Sequence, residues 1–133
     1  MRVDVRSYFL IAAIGAILFN SSTSMLIAQD AKFHNAPASS NQVKNPYAGQ
    51  PAVAAAGSRL YATNCGGCHE TGGRGTATSP RLSEGPTQSA SDGDVFWFIS
   101  AGAADSGMPS FAGLPERQRW QIVTYLKSLK GPA

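Results

Sequence analysis

A chain of 133 residues, 43% of them apolar, has room for one ordinary domain and some appendage, which excludes a multidomain reading. Its 11 Lys and Arg against 8 Asp and Glu give a formal charge of +3, and the basic residues are dispersed along the sequence. That excludes the concentrated basic face on which a nucleic-acid ligand depends, so most of these side chains are expected on solvated surface.

The N-terminus opens with Arg2 and Arg6, runs through an apolar block at residues 8–19 and turns polar at residues 20–24. This is the order of a secretory signal, expected at residues 1–28 with cleavage after Ala28, and the block is short for a bilayer span. Export to the periplasm follows from it. Leu26, at the minus-three position, is larger than such sites prefer, so an uncleaved or lipid-tethered N-terminus is the alternative and the one route to membrane association. Removing the segment takes away Arg2, Arg6 and Asp4 and leaves +2.

Residues 29–50 are rich in Asn, Ser, Ala, Pro and Gln with almost no branched apolar side chains. Such a stretch buries too little surface to offset its ordering entropy and reads as a flexible linker or loosely draped arm. It contains His34, expected in solvent because a mobile arm holds a ligand poorly.

The folded domain is expected over residues 51–133. Val53, Ala56, Gly57, Leu60 and Tyr61 recur at helical spacing and lead directly into Cys65. A glycine inside that stripe costs about 1 kcal/mol relative to alanine, which suggests a close backbone crossing at Gly57. A merely tolerated glycine is the plainer reading.

Next comes Cys65-Gly66-Gly67-Cys68-His69, which has the CxxCH form of a c-type haem attachment sequence. Two thiols can add to the two vinyl groups of one porphyrin as thioethers, and the following imidazole can serve as proximal iron ligand. The competing readings are a thioredoxin-like redox pair and half of a zinc site. The first wants a βαβ setting and the second a further ligand pair, yet these are the only two cysteines in the chain. No thiol is left over for a structural disulfide.

Glycines 72, 73 and 75 mark a loop, followed by Ser79-Pro80-Arg81-Leu82. A proline carbonyl at this point could accept the Nδ1 proton of His69, orienting the ring and raising its basicity, although an ordinary turn proline would look the same. Ser91 with Asp94 resembles a helix start, and Gly102 a stop. The run Val95-Phe96-Trp97-Phe98-Ile99 between them would pass for a strand on propensity, but the punctuation favours a short buried helix. Its bulk suits either a porphyrin wall or a protein core.

The last helix starts at Pro115 and carries Ile122, Tyr125, Leu126 and Leu129 on one face. Lys127 and Lys130 complement its C-terminal end, Gly131-Pro132 stops it, and the stripe holding Gly57 and Tyr61 is its natural partner. Of three methionines, Met1 and Met25 fall in the signal, leaving Met108 between Gly107 and Pro109. A thioether is a good second axial ligand for an electron-transfer iron, whereas methionine as core filler is commoner in general.

From about Gly57 to Lys130 the chain resembles a class I cytochrome c, and is similar to short bacterial monohaem forms of the c6, c-555 or cbb3-oxidase-subunit type. The resemblance rests on Gly57 and Tyr61, the CxxCH motif, residues 79–82, Gly107-Met108-Pro109 with Phe111, and Ile122 with Tyr125, in that order. It implies an all-α fold in which the N- and C-terminal helices cross. It implies one covalent haem c bound by Cys65 and Cys68, with His69 supported by Pro80 and Met108 as sixth ligand.

Iron capped by protein on both faces has no position for substrate, so the expected function is one-electron transfer and not catalysis. The expected partners are redox proteins, a dehydrogenase donor and an oxidase or other acceptor, met by a monomer in transient complexes through a small patch. The alternatives are an electron-transfer subunit of a dehydrogenase or oxidase complex and, from another class, a five-coordinate haem sensor or enzyme. Sensors of the cytochrome c′ type carry CxxCH near the chain end, whereas here a long segment follows it.

Overall fold

A computed structural model describes residues 35–130. The signal segment with its cleavage position, His34 and the Gly131-Pro132 stop lie outside the described residues. Among those described, every regular element is a helix or a helical turn, apart from one isolated bridge between Ala103 and Met108. This is the all-α architecture expected from the sequence.

The first helix, α1, spans Pro51–Asn64, with proline in its first turn where a missing N–H costs nothing. A single turn, α2, covers Gly66–His69. The short α3 is Pro86–Ser89, α4 is Asp92–Ala101 and α5 is Glu116–Ser128. At the start of α4 the Ser91 side chain accepts the Asp94 amide at 3.0 Å, and at its end Gly102 takes φ +73°. Both punctuation marks act as the sequence suggests. Helix α5 begins one residue later than expected, with Pro115 as the residue before the first turn.

The largest packing interface joins α1 to α5. It is close because α1 carries Gly57: a Cβ there would sit 1.9 Å from the Gln121 carbonyl oxygen and 2.9 Å from the Tyr125 Cβ. Only hydrogen fits. Beside the crossing, the Tyr61 and Tyr125 rings meet at 5.2 Å with a 55° tilt. The core comprises Tyr61, Val95, Ile99, Trp120, Ile122, Val123 and Leu126, with Ile122 and Val123 at 0% exposure. Each such side chain contributes about 1.5–3 kcal/mol by leaving water.

The segment assigned by composition to a linker or loose arm is, over its described part, packed against α4 and α5. A helical turn at Ser40–Gln42 sits on the start of α4, where a Cβ on Gly93 would lie 1.9 Å from the Ser40 carbonyl oxygen. The Ser40 hydroxyl reaches the Asp94 carboxylate, and Asn45 donates to Asp92 at 2.9 Å and to Thr124 at 3.1 Å. Tyr47 packs onto the core. The arm is held by hydrogen bonds from Ser40 and Asn45 to the side chains of Asp92, Asp94 and Thr124, which apolar content does not measure.

Candidate haem-binding site

The motif Cys65-Gly66-Gly67-Cys68-His69 sits where α1 ends. Cys65 breaks the helix and its carbonyl accepts the amides of Cys68 at 3.1 Å and His69 at 2.9 Å, so the motif winds as one helical turn. Positions i, i+3 and i+4 of a turn share a face, which places Cys65, Cys68 and His69 on one side. A Cβ at Gly67 would meet nothing within 4 Å, and one at Gly66 only the Tyr61 carbonyl oxygen at 3.7 Å, so the spacer leaves the motif uncrowded.

Both thiols are free, Cys65 half-buried and Cys68 exposed. Burial, with a smaller contribution from the neighbouring Cys68 charge, pushes the Cys65 thiol up to about 11. A dithiol redox centre needs the opposite, a thiolate stabilised near neutrality. Among the described residues there is no group of three or more His, Cys, Asp and Glu arranged to hold a metal ion.

The His69 ring is held by its Nδ1, 2.9 Å from the Pro80 carbonyl oxygen. A carbonyl can only accept, so Nδ1 carries the proton and Nε2 keeps its lone pair for a metal. Pro80 is fixed by the loop that returns it: Gly75 donates to the His69 carbonyl at 2.9 Å, and Leu82 and Ser83 donate to the Gly73 carbonyl at 2.8 and 3.2 Å. Glu70, next to His69, has φ 62° and ψ 164°, a region essentially reserved for glycine that costs of order 1–3 kcal/mol elsewhere. Its carbonyl accepts the Tyr61 hydroxyl at 2.9 Å and the Gly73 amide at 3.1 Å. Glutamate carries no signal for this conformation, and sequence reasoning missed it.

Met108 lies on a different loop. Its amide and carbonyl both pair with Ala103, at 3.1 and 2.9 Å, so its own main chain is satisfied locally and the turn between them is closed by Gly107 at φ +77°. Gly102 lets the returning strand pass: a Cβ there would be 2.6 Å from the Ser110 nitrogen. Further on, Ser110 donates to the Ser100 carbonyl at 2.6 Å and Phe111 to the Ile99 carbonyl at 3.0 Å, fastening the loop to α4. Arg119 of α5 secures the same region through the Ser100 hydroxyl and the Leu114 carbonyl, with its guanidinium 4.7 Å over the Phe96 ring. Arg119 thus belongs to the frame of the Met108 loop, where dispersed charge alone suggested surface.

The aromatic run of α4 divides by face. Val95 and Ile99 enter the protein core, and Phe96 stacks on Trp120 at 4.0 Å and 16°. Trp97 and Phe98 stay half-buried, edge to face at 5.8 Å. The site residues therefore form two groups. One is the turn with Cys65, Cys68 and His69 together with Pro80; the other is the Met108 loop built on α4 and α5.

An all-helical domain with crossing terminal helices, a CxxCH turn and a carbonyl-anchored histidine is that of a class I c-type cytochrome. The family model described as "Cytochrome C oxidase, cbb3-type, subunit III" matches residues 52–126, more than half of the chain, and the chain belongs to that family. Comparison with curated proteins and with solved structures gives no match. Membership makes the protein a monohaem electron carrier with covalently attached haem c, exchanging electrons with redox partner proteins and catalysing no reaction of its own. The donors fit the group: two free thiols on one turn for the two vinyls, and an imidazole whose Nε2 is left available.

Proposed function

We propose that this chain carries single electrons in an exported compartment, with one haem c joined to Cys65 and Cys68 and its iron held between His69 Nε2 and the Met108 thioether. The observation that carries the reading is the 2.9 Å contact of His69 Nδ1 with the Pro80 carbonyl, which fixes both tautomer and ring. When bound, the haem supplies a one-electron couple without bond making or breaking. The chain does the rest. Pro80 keeps a proton on Nδ1 and makes Nε2 more basic; the Cys65–Cys68 turn grips one porphyrin edge. The doubly paired Met108 backbone limits how far its sulfur can stray, and Met108 is the only methionine among the described residues. A soft sulfur ligand favours ferrous iron and raises the potential relative to two imidazoles.

Export is supported by the order of charge, apolar block and polar segment at residues 1–28. No helix among the described residues is long and apolar enough to cross a membrane. The name of the matching family favours a second reading, that the chain works as an electron-transfer subunit docked in an oxidase complex. Gel filtration of native extract separates them: elution at the monomer size supports the carrier, and comigration with a larger complex the subunit.

Ligation is tested by the optical spectrum of the ferric protein. The expected result is a weak long-wavelength sulfur-to-iron band that disappears in Met108→Ala. High-spin features in the unaltered protein would overturn the ligand pair.

A further inference from the structure

The Tyr61 hydroxyl sits on α1, eight residues before His69 in sequence, and donates to the carbonyl of the residue immediately after that histidine. Glu70 holds its glycine-like backbone conformation, φ 62° and ψ 164°, at exactly this point. The same carbonyl accepts the Gly73 amide, and the Gly73 carbonyl in turn accepts Leu82 and Ser83, which flank the segment carrying Pro80. A continuous hydrogen-bonded circuit thus runs from α1 through Glu70 and Gly73 to residues 80–83 and back through the Pro80 carbonyl to His69.

We propose that Tyr61 is a positioning residue for the axial imidazole, its hydroxyl clamping the strained Glu70 peptide so that the following loop delivers the Pro80 carbonyl to His69 Nδ1. Filling the helix crossing needs only the ring, which packs at a tilt against Tyr125. The hydroxyl adds the clamp. Released, Glu70 relaxes toward negative φ, the start of the loop turns, and the Pro80 contact lengthens. The His69 Nδ1 proton then exchanges faster, and Nε2 becomes a weaker donor to ferric iron, so the potential rises. This inference rests on the assignment of His69 as an iron ligand.

The test compares four haem-loaded proteins: parent, Tyr61→Phe, Glu70→Gly and the double variant. Phenylalanine keeps the buried ring and leaves the Glu70 carbonyl its Gly73 partner, so folding is retained. Glycine adopts the Glu70 backbone conformation without strain and does not need the clamp. In Tyr61→Phe the His69 Nδ1 proton, followed by NMR, is expected to exchange about two- to tenfold faster, the range that loss of one net hydrogen bond allows. The midpoint potential is expected to move upward in the same variant. Both changes should shrink in the double variant, because Glu70→Gly restores the loop by itself. A Tyr61→Phe protein with parental exchange and potential would overturn the proposal, as would shifts of equal size with and without Glu70→Gly. Failure of the underlying ligand assignment looks different: the parent itself would then show no slowly exchanging imidazole proton and no low-spin ferric spectrum.

Discussion

Replacing Gly57 by alanine inserts one methyl group where two helix backbones meet. Its Cβ would lie 1.9 Å from the Gln121 carbonyl oxygen and 2.6 Å from the Gln121 carbonyl carbon, both main-chain atoms that no rotamer change can move. Carbon atoms rest at about 3.5–4.0 Å from their neighbours, and opening a gap of about 0.5–1 Å across an interface forfeits roughly a quarter to a half of its dispersion energy. α1 and α5 must therefore part by roughly 1 Å or more along the face that buries Tyr61, Ile122 and Leu126. Overpacking of this kind costs about 1–3 kcal/mol, and a backbone-to-backbone clash belongs at the upper end. Alanine returns about 1 kcal/mol through its better helix propensity. The net loss is about 2 kcal/mol, which for a domain of this size lowers the melting temperature by about 8–16 °C. Thermal unfolding followed by far-ultraviolet circular dichroism measures it, with Gly113→Ala as the control because a Cβ there meets nothing within 4 Å and its φ is not positive. A Gly57→Ala protein as stable as the control would refute the argument from the crossing.

Gly93→Ala poses the same clash, 1.9 Å from the Ser40 carbonyl oxygen, but against a docked arm instead of a core helix. The arm can lift away while α4 gains about 1 kcal/mol of helix propensity, so limited proteolysis within residues 35–50 should accelerate while the melting temperature moves by only a few degrees. Unchanged protease resistance would count against arm docking at Gly93. Tyr61 governs the alkaline limit: burial, the largest cause, pushes its hydroxyl up from 10.0 to about 12. A raised folded-state value means its contribution is fully present below pH 10 and lost as pH climbs through about 12, and two units correspond to about 2–3 kcal/mol. Denaturant titrations at pH 9 and pH 12 should show a larger fall for the parent than for Tyr61→Phe, and equal falls would contradict the burial argument.

Glycine, proline and serine carried most of what the sequence revealed. Gly57 signals a crossing because a costly residue in a helix needs a reason, and Ser91, Asp94 and Gly102 bound α4 because caps have side-chain chemistry of their own. The CxxCH turn was readable for the same reason, since it needs particular atoms at a particular spacing; the Pro80 contact was not, because an ordinary turn proline looks the same and only the family resemblance implied it. What escaped was held by main chain or by long stems. The arm docks through carbonyls and through Ser40 and Asn45, and the one hint, Gly93 in the first turn of α4, is of the kind that Gly57 offers. Lys127 looks like a solvated helix-end charge, yet its ammonium caps the Thr87 carbonyl at 3.0 Å and also reaches that of Ala90, and desolvation lowers its pKa. A flexible stem lets lysine reach either place, so its position alone decides nothing.

The central claim is that protein atoms occupy both axial positions of one covalently held haem, and carbon monoxide binding to the ferrous protein tests it most directly. With His69 and Met108 in place, carbon monoxide added to the native reduced protein should leave the spectrum unchanged, and Met108→Ala should bind it at once. Ready binding by the unaltered protein at neutral pH would contradict the account.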